Sequence, residues 1–141
     1  MKKYHPALVI FHWLLVPLLM VALIMGGNVL SEIPNDSAEK VGALKGHMIM
    51  GMGILGLMLL RFITRLVTQK PPHADIGYSI LNKLGTLAHY VLYLLVFIMA
   101  ASGIATSIQA GLPDIIFGGS GAALPETFSI YAPRIAHGII A

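Results

Sequence analysis

The chain has no cysteine among its 141 residues and few charged side chains. Without cysteine it can form no disulfide, no thiolate metal site and no cysteine-held iron–sulfur cluster. Only 11% of its residues are charged, whereas 57% are hydrophobic. This balance excludes an ordinary soluble domain and indicates a membrane protein. The net charge of +3 is small, and the basic residues lie at the ends of apolar runs, which argues against nucleic-acid binding.

Three apolar runs are long enough to cross a membrane, which takes about 20 helical residues. They lie at about residues 6–27, 44–67 and 84–111, and a fourth run starts at about residue 133. Because lipid cannot satisfy open backbone groups, each run is predicted to be a helix. The sequence thus predicts an all-α integral membrane protein, with residues 1–141 forming one domain. We expect the chain to be truncated, since a fourth span that ends after about one turn cannot cross the bilayer.

The basic residues are distributed unequally between the two sides that these spans define. One side carries Lys2, Lys3, Arg61, Arg65, Lys70 and Lys83. The other side mixes basic and acidic residues, namely Lys40, Lys45, Arg134, Glu32, Asp36, Glu39, Asp114 and Glu126. The positive-inside rule therefore predicts that the N-terminus and the connection 68–83 lie in the cytoplasm.

Four histidines fall within the apolar runs, at two depths. His12 and His89 lie at an inner level, on the predicted cytoplasmic side, and His47 and His137 lie at an outer level. An unpaired polar group in lipid costs several kcal/mol, so ionisable residues in spans indicate function. A single histidine is explained equally well by a hydrogen bond to a neighbouring helix. Four histidines at two matched depths, without intramembrane acids, favour a cofactor.

Two histidines per level are too few for a bare metal ion, but they fill the two axial positions of a haem. The second span also contains small residues that would let a flat macrocycle approach the backbone, although helix packing explains such residues equally well. These residues are Gly46, Gly51, Gly53 and Gly56. Arg61, near the cytoplasmic end of that span, is predicted to meet a haem propionate or a quinone head, or to act only as a topology signal. Trp13 and Tyr93 are interfacial anchors or pocket walls. His5 and His73, in the polar flanks, are predicted to be solvated.

Four motifs occur in order along the chain: "FHWLL", "KGHMIMGMGILGLMLLRFITR", "AHYVLYLLVFIMAASG" and "RIAHGIIA". With them the sequence resembles the bacterial cytochrome b561 and Ni/Fe-hydrogenase-type cytochrome b family of the cytoplasmic (inner) membrane. The resemblance implies a four-helix membrane bundle, of which this chain has three full spans and the start of a fourth. It also implies two b-type haems and electron transfer between quinone and a periplasmic or cytoplasmic redox partner. In some members the partner is a hydrogenase or dehydrogenase, and at least one branch oxidises superoxide and reduces ubiquinone.

The resemblance also assigns individual residues. His12, His47 and His137 match axial haem ligands, and His47 and His137 together match the pair that holds the outer haem. In the family the first-span histidine pairs with a second fourth-span histidine, at a position beyond Ala141. His89 matches a histidine near the cofactor or quinone pocket, with inner ligation as the alternative. We therefore expect at least one haem b in this chain.

Three functions compete at this stage. The first is an electron-transfer cytochrome, an oxidoreductase that acts on quinone. The second is a membrane anchor subunit, with or without haem, that docks another enzyme. The third, a small metal or proton transporter, is disfavoured because intramembrane carboxylates and broken helices in matching repeats are not evident. The expected partners are quinone, a redox protein and membrane lipid, without nucleic acid.

Overall fold

The computed structural model describes residues 4–69 and 77–141. The positions of Lys2, Lys3, Lys70 and His73, which entered the charge and histidine predictions, lie outside this part of the chain. Within it the predicted all-α class is confirmed. The helices are α1 (Pro6–Ile24), α2 (Ala38–Val67), α3 (Ser79–Gln109), α4 (Leu112–Ile116) and α5 (Ala132–Ile140), and a π-helical turn (Met25–Val29) extends α1.

Three of these helical segments are long and apolar enough to cross a membrane. They are Pro6–Val29, Ala38–Val67 and Ser79–Gln109. Two of them begin before the apolar runs that the sequence predicted at 44–67 and 84–111. In α2 the reason is local, because the Ser37 side chain accepts a hydrogen bond from the Glu39 amide and so caps the helix within a polar stretch.

The helices pack in chain order, α1 against α2 and α2 against α3, while α5 packs against α3. The centre of the bundle is a small cluster of Leu15 from α1 with Ile54 and Met58 from α2. Tyr93 and Phe97 of α3 pack on this cluster. A second cluster forms around Ala110, Leu112 and Ile116, below the segment that leads to α5.

This packing gives the bundle two ends. The N-terminal end comprises the start of α1, the end of α2 and the start of α3. The loop end comprises residues 30–37 and 110–131, together with the start of α2 and α5. Many large apolar side chains between the two ends are exposed, as expected for surfaces that face lipid rather than water.

A buried lysine connects two segments at the loop end. Lys40, in the first turn of α2, is only 6% exposed. Its Nζ donates to the carbonyl of Leu30 and to the carbonyl of Ile33, the latter at 2.8 Å. The carbonyls that follow a helix lack helical partners and favour a positive charge. Lys40 therefore fixes the end of the first span to the start of α2.

We expect Lys40→Met to lower the free energy of unfolding by about 2 kcal/mol, because hydrogen bonds from a charged donor contribute roughly 1.5–3 kcal/mol. The measurement is the thermal unfolding midpoint of the purified protein in detergent. Lys83→Met is the matched control, since Lys83 is exposed and surface substitutions usually change stability by less than about 0.5 kcal/mol. Equal losses in both variants would contradict the role of Lys40.

Candidate functional site

The loop end of the bundle brings two histidines from different helices together. His47 near the start of α2 and His137 in α5 have ring centroids 6.1 Å apart, with the ring planes at 83° to each other. Two imidazoles that bind one metal from opposite sides have centroids roughly 6 Å apart, from metal–nitrogen bonds of about 2 Å plus half of each ring. The spacing of this pair therefore fits the axial ligands of one haem iron.

The protonation of the His137 ring follows from its contacts with α3. Nδ1 lies 2.9 Å from the carbonyl oxygen of Met99 and 3.1 Å from Oγ of Ser102. A carbonyl oxygen can only accept, so Nδ1 carries the hydrogen and donates it. In this tautomer the lone pair is on Nε2, and a lone pair on one ring nitrogen is what a metal binds.

The His47 ring has bonding capacity that the protein does not use. Its Nδ1 is buried and has no hydrogen-bond partner in the described part of the chain. An unmet buried polar atom costs about 1–3 kcal/mol and is uncommon in native proteins. The described structure thus leaves one nitrogen of the His47 ring without a partner, which sets this ring apart from that of His137.

Each of the two rings lies against a glycine of a neighbouring segment. A Cβ at Gly26, in the π-helical turn, would stand 3.4 Å from Cε1 of His47. A Cβ at Gly103 of α3 would stand 3.1 Å from Cε1 of His137. At Gly26 a Cβ would make an ordinary van der Waals contact, whereas at Gly103 it would press on the His137 ring and displace it by a few tenths of an ångström.

The four glycines of the second span, for which the sequence analysis predicted a role beside a macrocycle, have different surroundings from the two glycines that lie against the histidine rings. A Cβ at Gly46 would meet the Met25 side chain at 3.3 Å, so close helix packing explains this position. Cβ atoms at Gly51, Gly53 and Gly56 would meet nothing within 4 Å. Helix packing therefore does not account for these three glycines in the described structure.

The N-terminal end of the bundle holds the other two histidines. His12 and His89 are both exposed. Nδ1 of His89 lies 2.7 Å from the carbonyl oxygen of Gly85 in its own helix. Arg61 and His89 are electrostatic neighbours of His12, but the described residues show no ring contact between the two histidines. The two histidines of this level are therefore not in ring contact, unlike the two histidines of the loop end.

A cluster of arginine and aromatic side chains lies at the same level. Nε of Arg61 donates to the phenolic oxygen of Tyr93 at 2.8 Å, so Tyr93 is more than an interfacial anchor. Arg65 lies over the Tyr90 ring, 5.7 Å from its centroid. A guanidinium has five N–H donors, and the bond to Tyr93 uses one of them. Arg61 is thus held in place with donors left for an anion.

Sequence reasoning missed several residues of the loop-end site. Met99, Ser102 and Gly103 hold the His137 ring, and their spacing of three and four places them on one face of α3. Arg134 is an electrostatic neighbour of both His47 and His137, although its charge entered the sequence analysis only as a topology signal. Its position one helical turn before His137 is the pattern that would have indicated it.

The donor sets agree with a haem rather than a bare ion. The described residues contain no group of three or more histidine, cysteine, aspartate or glutamate side chains able to hold a metal ion. A haem needs only two protein ligands, because the porphyrin supplies the other four. The paired rings of His47 and His137 therefore fit this group.

Comparison with known proteins identifies the family. The family model of prokaryotic cytochrome b561 matches residues 3–140, which is nearly the whole chain. No solved structure matches it. Together with three helices able to cross a membrane, the match makes this an integral membrane protein of b-type haem electron transfer. The chain belongs to the prokaryotic cytochrome b561 family.

Proposed function

We propose that the protein transfers electrons between quinone and a redox partner through b-type haem, and that His47 and His137 are the axial ligands at the loop end. The observation that supports this most directly is the pair of imidazole rings from two helices at 6.1 Å. The haem, when bound, supplies a one-electron iron centre.

The two histidines suit electron transfer better than oxygen binding. Each offers a strong neutral ligand from a separate helix, so both axial positions are filled by the protein. We expect a six-coordinate, low-spin site that rearranges little when its charge changes. The Met99 carbonyl holds the proton on Nδ1 of His137 and keeps Nε2 free for the metal.

At the N-terminal end we propose a second haem site with His12 as one axial ligand, as in the two-haem family fold. His89 lines the cofactor or quinone pocket, since it is an exposed ring on another helix and an electrostatic neighbour of His12. Arg61, fixed by Tyr93, binds a propionate or a quinone oxygen through its free N–H groups.

We further propose that the N-terminal end faces the cytoplasm of a bacterial inner membrane. Among the described residues each end carries three basic side chains, Arg61, Arg65 and Lys83 at this end and Lys40, Lys45 and Arg134 at the other. The excess on the predicted cytoplasmic side comes from Lys2, Lys3 and Lys70 of the sequence. An excess of lysine and arginine on one side sets orientation. The redox partner is a hydrogenase, a dehydrogenase or superoxide, and quinone is the other reactant.

We expect His47→Ala and His137→Ala each to remove the loop-end haem, because one remaining imidazole cannot hold iron from both sides. The measurement is the haem-to-protein ratio by the pyridine haemochrome assay, which should fall by about one haem per chain. His5→Ala is the control, since His5 is exposed and its side chain accepts a hydrogen bond from the Ala7 amide at the start of α1. A full haem complement in both single variants would refute the assignment.

We expect His89→Ala to retain the haem content of the parent protein and to slow quinone reduction roughly tenfold, the effect of losing one hydrogen bond of about 1.4 kcal/mol. Haem content and quinone-reduction rate are measured on the same preparation, with His5→Ala as control. If His89→Ala loses one haem per chain, His89 is an axial ligand and the pocket role is wrong.

A further inference from the structure

Ser102 is a polar residue buried in the apolar third span, and its side chain contacts the His137 ring. The residue is 8% exposed. Its Oγ lies 2.9 Å from the Met99 carbonyl oxygen and 3.1 Å from Nδ1 of His137. The hydroxyl has one hydrogen, and the carbonyl takes it. Toward the ring the Ser102 oxygen is therefore an acceptor.

The alternative protonation is excluded by the same three atoms. If Nδ1 of His137 had no hydrogen, its lone pair would face the lone pairs of the Met99 oxygen at 2.9 Å, which is repulsive. With the hydrogen on Nδ1, the ring donates to the Met99 oxygen and also to the Ser102 oxygen, and every contact is attractive. The three groups thus form one shared hydrogen-bond arrangement.

A local helical role for Ser102 does not explain this contact. Ser107 lies on the same helix, is equally buried, and donates to the carbonyl three residues before it at 2.8 Å, as Ser102 does. This is a common way for serine to satisfy itself in a helix. Ser107 has no contact with a histidine among the described residues. The ring contact is therefore an additional feature of Ser102.

The backbone next to Ser102 is shaped to the same ring. A Cβ at Gly103 would stand 3.1 Å from Cε1 and 3.3 Å from Nδ1 of His137, which is too close without a shift of the ring. Ser102 and Gly103 are consecutive, so one supplies the acceptor and the other the space. Together they determine the position of the ring, while the Met99 carbonyl fixes its tautomer.

The two loop-end histidines are consequently unequal. His137 has two acceptors at Nδ1, whereas Nδ1 of His47 has none in the described structure. A hydrogen bond from Nδ1–H gives the imidazole partial negative character and makes its other nitrogen a more basic ligand. A more basic ligand stabilises the oxidised metal, so α3 acts on the metal site through His137.

We propose that Ser102 is the positioning residue of His137, and that its hydroxyl lowers the midpoint potential of the loop-end haem by accepting from Nδ1–H. The proposal rests on the proposed role of His137 as an axial ligand. Ser102 itself does not bind the metal. Its effect passes through the orientation of the imidazole ring and the electron density on it.

The test compares Ser102→Ala, Ser102→Thr and Ser107→Ala in the full chain with haem bound. We expect Ser102→Ala to keep the haem-to-protein ratio, to shift the loop-end midpoint potential upward in a redox titration, and to change the low-spin ferric signal in electron paramagnetic resonance. Ser102→Thr keeps a hydroxyl and should therefore show the midpoint potential and the low-spin ferric signal of the parent protein. Ser107→Ala removes the same kind of intrahelical bond and should leave them unchanged.

Gly103→Ala is a second variant that leaves the Ser102 hydroxyl in place. It should change the same low-spin signal, because the added methyl group moves the ring. The proposal is overturned if Ser102→Ala keeps the parent potential and signal, as Ser107→Ala does. A failure of the ligand assignment looks different, because His137→Ala would then retain the full haem complement.

Discussion

The hydrogen bonds from His137 to α3 determine where α5 lies. None of the nine residues of α5 is fully buried, so apolar packing alone does not fix its rotation or its depth. In a membrane interior water does not compete for the donors and acceptors of such a half-buried ring. The contacts with Met99 and Ser102 therefore select one register of α5 on α3, and the spacing of His137 from His47 depends on that register.

His47 is positioned by a different set of contacts. The end of the first span lies against α2 at two glycines, where Gly26 faces the His47 ring and the Met25 side chain packs at Gly46. Lys40 binds the carbonyls that follow the π-helical turn of this span. The site at the loop end thus joins two halves, the hairpin of α1 with α2 and the pair of α3 with α5, each held by its own polar contacts.

Much of the architecture could be predicted from the sequence because lipid restricts the secondary structure that a membrane-spanning segment can adopt. A long apolar run in a membrane can only be a helix, so the all-α class and the family, both confirmed, depended on robust signals. The depth of each histidine also follows from its position along a run. Depth places His47 and His137 at one level, and the structure places their rings side by side.

The depth of a residue in the membrane does not determine which way its side chain faces. The orientation of the side chains could therefore not be predicted from the sequence. His12 and His89 share a level and are both exposed, so their level is less closely assembled than the depth argument alone would suggest. Ser102 and Gly103 stand in an ordinary apolar run, and only the neighbouring α5 gives them a role. Helix α2 begins before its apolar run because Ser37 caps it, and a hydrophobicity pattern does not reveal such a cap.

The π-helical turn has a consequence for the geometry of the first span as a whole. A π-turn closes its hydrogen bonds five residues apart, so it holds more residues per turn than an α-helix. Residues after Val29 are therefore rotated relative to the α-helical repeat that runs through His12. A single deletion within Met25–Val29 that restored a regular α-helix would leave His12 where it is. It would swing the 30–37 connection around the helix axis and so move the carbonyls of Leu30 and Ile33 relative to Lys40, which binds them.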